Sequence, residues 1–159
     1  MIFVTVGAQM HFDRLVKTVD QWAKENGRDD IFAQIGPSEY RPANMQWTNF
    51  LEPEDFKLKY REAKVIVAHA GTGSIITALQ LGKPILIMPR RASLQETRND
   101  HQSATSEQFR HFGSVEVAWN ESELITKLDS IDNLRGTQKI EAYASGEIVK
   151  TIREFIDGC

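Results

Sequence analysis

The segment His69-Ala-Gly-Thr-Gly-Ser74 places two glycines and two hydroxyl residues between an apolar run, Val65 to Ala68, and a stretch with helical spacing. At such a junction the first N–H groups of the helix have no partner within it, and the positive end of the helix dipole faces outward. Gly71, Thr72, Gly73 and Ser74 are therefore a phosphate cradle in chemical terms. The plainer account is a tight strand-to-helix turn in which Thr72 or Ser74 serves as N-cap. Neighbouring residues narrow the ligand. No Gly-Lys-Ser/Thr follows, so the segment is not a Walker loop. The third small residue of a dinucleotide fingerprint is replaced by Ile76, and the run Ile85 to Met88 ends in Pro89 rather than in an acid that would hold a ribose. A receiver-type site is excluded because the first apolar run ends in Gly7 with no acidic pocket.

A second cluster, Asn99-Asp-His-Gln102, supplies amide and carboxylate groups able to hydrogen-bond several neighbouring hydroxyls at once, as a sugar presents them. It reads equally as a helix start with Asn99 or Asp100 as cap. A third loop, Gly7-Ala-Gln-Met-His-Phe-Asp13, follows the first apolar run. A phosphate cradle and a hydroxyl-reading loop on successive strands of one sheet point to a nucleotide sugar. The long polar loop Pro89 to Asp100 carries Arg90, Arg91 and Arg98, which read as solvated surface charge, the other reading being a preference for an acidic sugar.

These loops need a sheet to carry them, and the chain supplies one. Short β-rich apolar runs alternate with helical patterns, the signature of a parallel sheet covered by helices on both faces. Strands are expected at Ile2 to Val6, Ile31 to Ile35, Met45 to Phe50, Val65 to Ala68, Ile85 to Met88 and Val115 to Ala118. Asp13 reads as the cap of a helix with Leu15, Val16, Val19, Trp22 and Ala23 on one stripe, ending near Asn26-Gly27. Pro53 opens a helix bearing Phe56, Tyr60 and Ala63 on one face. A further helix covers His101 to Phe112 with Ala104, Phe109 and Phe112 inward, Asn120 and Glu123 resemble a capping box, and Ile140, Ala144, Ile148, Ile152 and Ile156 predict a long closing helix. The expected architecture is one doubly wound α/β domain of about six parallel strands spanning residues 1–159.

Composition excludes other classes. Lys and Arg total 19 against 22 Asp and Glu, a net charge of −3 that exerts no general pull on nucleic acid or anionic membrane. The only cysteine is Cys159, so no intrachain disulfide, Cys-based zinc site or Cys/His nucleophile is expected, no other metal-ligand spacing occurs, and a cytoplasmic setting is the default. The longest apolar runs are four residues, against about 20 for a membrane span. The start, MIFVTVG, lacks the basic region of a signal peptide.

Met-Ile-Phe-Val-Thr-Val-Gly7 with Gln9 and Phe12-Asp-Arg-Leu15, then His69 to Ser74, Gly82-Lys-Pro84 and Asn99 to Gln102, resemble in this order the C-terminal domain of family 28 glycosyltransferases, and more narrowly its small stand-alone subunits. The resemblance runs from Met1 to about Leu128. It implies a Rossmann-like domain, the donor-binding half of a GT-B fold, that takes the sugar of a UDP-sugar to a lipid-linked (polyprenyl diphosphate) saccharide. It further implies an Alg14-like or PssD-like membrane-anchored partner that supplies the other wall of the cleft and recruits the chain to the cytoplasmic face of the membrane. By position, Gly7 and Gln9 would lie by the phosphates, His69 and Gly71 to Ser74 would form the diphosphate cradle, Phe50 and Leu51 would meet the uracil through the backbone, and Asn99, Asp100 and Gln102 would bind the donor sugar. A related peptidoglycan enzyme has Glu for the ribose where this chain has Thr77. Transfer in this class needs no bound metal or cofactor. Among His11, His69 and His101, His11 is the candidate catalytic base, because its loop faces the expected cleft, whereas His69 reads as cradle-shaping and His111 as surface. The other readings are a non-catalytic nucleotide-sugar-binding or regulatory module, and an NAD-dependent fragment.

Overall fold

Continuous Ile, Val, Leu and Phe runs tolerate burial on both faces, and here they form six parallel strands: β1 (Ile2–Thr5), β2 (Ile31–Gln34), β3 (Gln46–Thr48), β4 (Val65–His69), β5 (Ile85–Met88) and β6 (Val115–Val117). The computed structural model describes residues 1–136, 150–152 and 154. Strand order is β3-β2-β1-β4-β5-β6, and Ile2 sits in register with Ile31 on one side and Val65 on the other. The expected parallel, doubly wound sheet is therefore present: β1, β2, β3 and β6 stop one or two residues short of their apolar runs, β5 matches its run, and β4 extends one residue further. Most residues of the predicted closing helix lie outside the described residues.

Alternating side chains of the strands feed two cores. Val4, Val6, Val67 and Met88 pack against α1 (Asp13–Asn26) and α5 (Glu121–Asp129). Phe3, Ile66, Ala68 and Ile87 pack against α2 (Pro53–Glu62), α3 (Thr72–Gln80) and α4 (His101–Phe109). The α1 stripe of Leu15, Val16, Val19, Trp22 and Ala23 is buried as its spacing predicts, each large side chain contributing about 1.5–3 kcal/mol. The helix stops at Gly27, whose left-handed φ of 59° lets its N–H reach back to the last turn.

Local assignments differ in several places, and α4 ends at Phe109 rather than Phe112. Phe12, not Asp13, is the N-cap of α1, and the Asp13 carboxylate instead accepts from Ser38 Oγ at 2.6 Å. In α4, Ala104 is exposed while Thr105 and Ser106 are buried. Their hydroxyls donate to the carbonyls of His101 and Gln102 one turn back, so the polar atoms are satisfied without leaving the helix. At α5, Glu123 N–H donates to Asn120 Oδ1 at 2.9 Å and the Glu123 carboxylate accepts from Trp119 N, a capping box shifted by one residue.

Candidate functional site

The chain winds outward from β1 through β2 to β3, then resumes at β4 on the other side, so the sheet's switch point lies between β1 and β4. The loops after these two strands open a crevice at their C-terminal ends, where ligands of such sheets bind. Gly7 begins the first loop and Ala70-Gly71 forms the second.

The two loops meet through His69. A Cβ on Gly71 would stand 2.2 Å from His69 Nε2, and one on Gly7 would stand 3.0 Å from His69 Cε1. The half-buried imidazole therefore fills the space that both glycines leave, and Gly7 in addition takes a φ of 78° that favours glycine. His69 Nδ1 lies 3.4 Å from the Thr5 carbonyl, which fixes it as the protonated nitrogen of a neutral ring. Burial, aided by the positive charge of Arg90, holds the His69 pKa down at about 4. The neutral ring is thus wedged between the two glycine-bearing loops.

Gly73 is different. Its φ does not require glycine, a Cβ there would meet nothing within 4 Å, and it lies in the first turn of α3. Neither the turn nor the packing accounts for it. The N-cap of α3 is Gly71 and no side chain caps the helix, so neither Thr72 nor Ser74 plays that part. The N–H groups of Thr72, Gly73 and Ser74 face an open surface with the helix dipole behind them.

Beside the cradle, a cavity of about 530 Å³ opens between α2 and α3, lined in part by Gly7, Phe50, Leu51, Phe56, Lys57 and Thr77. It brings together four of the predicted residues. Thr77 Oγ1 donates to the Gly73 carbonyl at 2.8 Å. Leu51 N–H is taken by Gln34 Oε1 at 2.9 Å, so the backbone contact expected from Phe50-Leu51 falls to their remaining main-chain groups. Gln34 itself, buried at the end of β2, also donates to the Gly7 carbonyl and so ties the first loop to the cavity wall. Lys57 and Arg61, one turn apart on α2, add positive charge to the same cavity. Gln34, Lys57 and Arg61 were not singled out in the sequence, where each looks like an ordinary polar residue of a strand end or a solvated helix face.

The Asn99 to Gln102 cluster lies across the edge, after β5. Asp100 occupies the N-cap position of α4, but its Oδ1 accepts from Ala92 N at 2.9 Å rather than capping the helix. Asn99 Oδ1 accepts from His101 N, and Gln102 Oε1 accepts from Arg90 N at 3.1 Å. Each side chain thus keeps part of its hydrogen-bonding capacity: the second Asp100 oxygen and the Gln102 amide N–H groups. Gln9 and His11 are exposed on the first loop, with His11 Nδ1 3.6 Å from Asp13 Oδ1. Arg98 is exposed as expected, whereas Arg90 is buried, and Arg91 is half-buried and donates to the Trp119 carbonyl. Among the described residues no group of three or more His, Cys, Asp or Glu is arranged to hold a metal ion, and no helix is long and apolar enough to cross a membrane.

The all-parallel order with a glycine cradle at its switch point defines a Rossmann-like, doubly wound domain. The sequence model of the glycosyltransferase family 28 C-terminal domain matches residues 1–155, and the chain belongs to that family. Among relatives, it is 26% identical over 123 residues to the mouse UDP-N-acetylglucosamine transferase subunit ALG13, a match covering 71% of this chain and 10% of that protein. The chain thus spans about a tenth of the length of the curated relatives it matches. The NMR solution structure of ALG13 superposes with a TM-score of 0.62 at 18% identity, covering 98% of this chain and 94% of that one. The crystal structure of MurG from Acinetobacter baumannii superposes with a TM-score of 0.59 at 20% identity, covering 82% of this chain and 40% of that one. Both likenesses are of fold, and this chain corresponds to less than half of the MurG chain.

Proposed function

We propose that this chain is the donor-binding half of a glycosyltransferase that moves a sugar from a UDP-sugar to a lipid-linked saccharide in glycan or exopolysaccharide synthesis. Family membership supports the reaction class, and its likeness to a mouse UDP-N-acetylglucosamine transferase subunit supports a UDP-sugar donor and a subunit role. The observation that carries the reading is Gly73: a glycine in a helical turn costs about 1 kcal/mol relative to alanine, and nothing within the fold repays it. A diphosphate approaching the main chain would.

In this reading the nucleoside enters the cavity between α2 and α3, Phe50 and Leu51 meet the base, and Thr77 stands near the ribose. The diphosphate lies over Gly71 to Ser74, with Gly7 and Gln9 alongside. Asn99, Asp100 and Gln102 bind the donor sugar with their uncommitted groups. The acceptor hydroxyl attacks the anomeric carbon as the bond to the diphosphate oxygen breaks. Charge gathering on the departing UDP is met by the free N–H groups and dipole of α3, preorganised where that charge develops. His11, oriented by Asp13, takes the acceptor proton. No metal ion or cofactor is assigned to the step. A membrane-anchored partner supplies the acceptor-binding wall and draws the chain to the cytoplasmic face of the membrane.

Titration calorimetry with UDP, several UDP-sugars and NADH tests the donor site, followed by a transfer assay with the partner subunit present. Binding of NADH without UDP refutes the reading. Binding of UDP with no turnover in any assembled complex leaves a nucleotide-sugar-binding module instead.

A further inference from the structure

Arg90 is a buried cation that the reading above does not use. It follows β5, is only 5% exposed, and stacks over the Phe12 ring at 5.1 Å. Its Nη2 donates to three carbonyls of the first loop: Val6 at 2.8 Å, Met10 at 2.7 Å and His11 at 3.4 Å. Its Nε has no partner among the described residues. Among the described residues no carboxylate pairs with it, since Glu96, the acid whose charge it feels, is committed to Arg14 at 2.6 Å. Arginine is rarely buried without such a partner, and an uncompensated buried guanidinium is costly. Burial pulls its pKa down to about 10, which still leaves it charged at neutral pH.

In a trans peptide the C=O and N–H point to opposite sides. Three carbonyls drawn onto one guanidinium therefore turn the N–H groups of Gly7, His11 and Phe12 away from it. Gly7 N–H is taken by Thr5 Oγ1 at 3.2 Å, while those of His11 and Phe12 have no partner among the described residues. Phe12 is also the uncapped N-cap of α1. The loop thus has its carbonyls drawn onto Arg90 and the N–H groups of His11 and Phe12 turned away from it, with a net positive charge beside them. Successive N–H groups held this way form an anion-binding concavity.

We propose that Arg90 is a positioning residue: it reaches from β5 past the end of β4 to hold the β1–α1 loop with its N–H groups turned toward an anion in the β1/β4 crevice. The inference rests on the diphosphate reading of that crevice. Arg90 touches no substrate in this arrangement; it acts through the main chain of residues 6–12 and through its charge.

The test uses the full chain and the variants Arg90→Met and Arg90→Lys, each checked for cooperative unfolding. In the ligand-free proteins, amide hydrogen exchange is followed along residues 7–12. Both variants are expected to exchange faster there and unchanged in α5; unchanged exchange in the loop overturns the proposal. UDP and uridine are then titrated. Arg90→Met is expected to weaken UDP by about tenfold or more and uridine by less than about threefold, because only UDP carries the diphosphate. Arg90→Lys keeps the charge but cannot gather three carbonyls, so an intermediate loss of UDP affinity is expected. Full UDP affinity in Arg90→Lys, or equal losses of UDP and uridine in a folded Arg90→Met, overturns the proposal. Wild-type protein that binds no UDP would refute the donor-site reading itself, and the exchange experiment still decides whether Arg90 positions the loop.

Discussion

Alanine at position 71 tests whether His69 is a wedge between two loops. The backbone of Gly71, at φ −81°, ψ 132°, accepts any residue, so strain does not enter. The obstacle is steric: the added Cβ would lie 2.2 Å from Nε2, 2.9 Å from Cδ2 and 3.0 Å from Cε1 of His69. If the ring leaves its place to make room, it loses its contact with the Thr5 carbonyl. Overpacking of this kind costs about 1–3 kcal/mol, or roughly 2–12 °C in Tm for a chain of this length. Removing the imidazole should relieve it. In urea unfolding, the Gly71→Ala/His69→Ala double variant is expected to be more stable than the sum of the two single losses by about 1–2 kcal/mol. Losses that add to within about 0.5 kcal/mol would show that ring and glycine do not share one space, and the account of the cradle would fail with it.

The same ring predicts a pH dependence. The unfolded chain takes up a proton at His69 near pH 6.5, while the folded protein refuses it until about pH 4. The contribution is therefore whole above about pH 7 and is lost as pH falls through 6.5 toward 4, by up to about 3 kcal/mol. Chemical denaturation from pH 7.5 to 4.5 should show this slope, and His69→Gln should flatten it; an equal slope in both would assign it to other groups. Gly73→Val separates ligand from turn. Because a Cβ there meets nothing, stability should stay within about 0.5 kcal/mol of wild type, while UDP affinity should fall by about a hundredfold or more. Unchanged affinity would make the segment a turn and nothing else.

The sheet was legible because its strands are buried on both sides and so read as unbroken apolar runs, and because Gly27, Gly82 and Pro84 punctuate the helices between them. The cradle was legible for a related reason: its chemistry is main-chain chemistry, and glycine is the residue that exposes it. Side chains acting over a distance were not legible. Gln34 joins Gly7 to Leu51, and Arg90 joins the end of β5 to residues 6–11, spans of 84, 80 and 79 positions for its three bonds. In sequence, Arg90 sits in a polar loop beside Arg91, and only the fold shows that the pair divide, one buried beneath the first loop and the other half-buried against Trp119. Asp20 is a parallel case. Its position on the buried stripe of α1 is explained only by Tyr40 Oη and the N–H groups of Ala43 and Asn44, which it accepts at 2.7–3.2 Å.

Accounting for main-chain groups along the C-terminal edge separates its two halves. Where β1 and β4 end, the protein spends its own donors on carbonyls: His69 on Thr5, Arg90 on Val6, Met10 and His11, and Gln34 on Gly7. What remains open there is N–H, at the start of α3 and in the first loop. After β5 the pattern reverses. Side-chain oxygens of Gln102, Glu96 and Asp100 consume the N–H groups of Arg90, Arg91 and Ala92 in turn. What remains on those side chains is one carboxylate oxygen of Asp100 and the amide NH₂ of Gln102. Since every buried backbone group must find a partner, this division is a consequence of which side chains the fold brings to each loop. It gives the first half the character to hold an anion and the second the mixed acceptor and donor groups that suit hydroxyls, which is the polarity a nucleoside diphosphate followed by a sugar would need along a single edge.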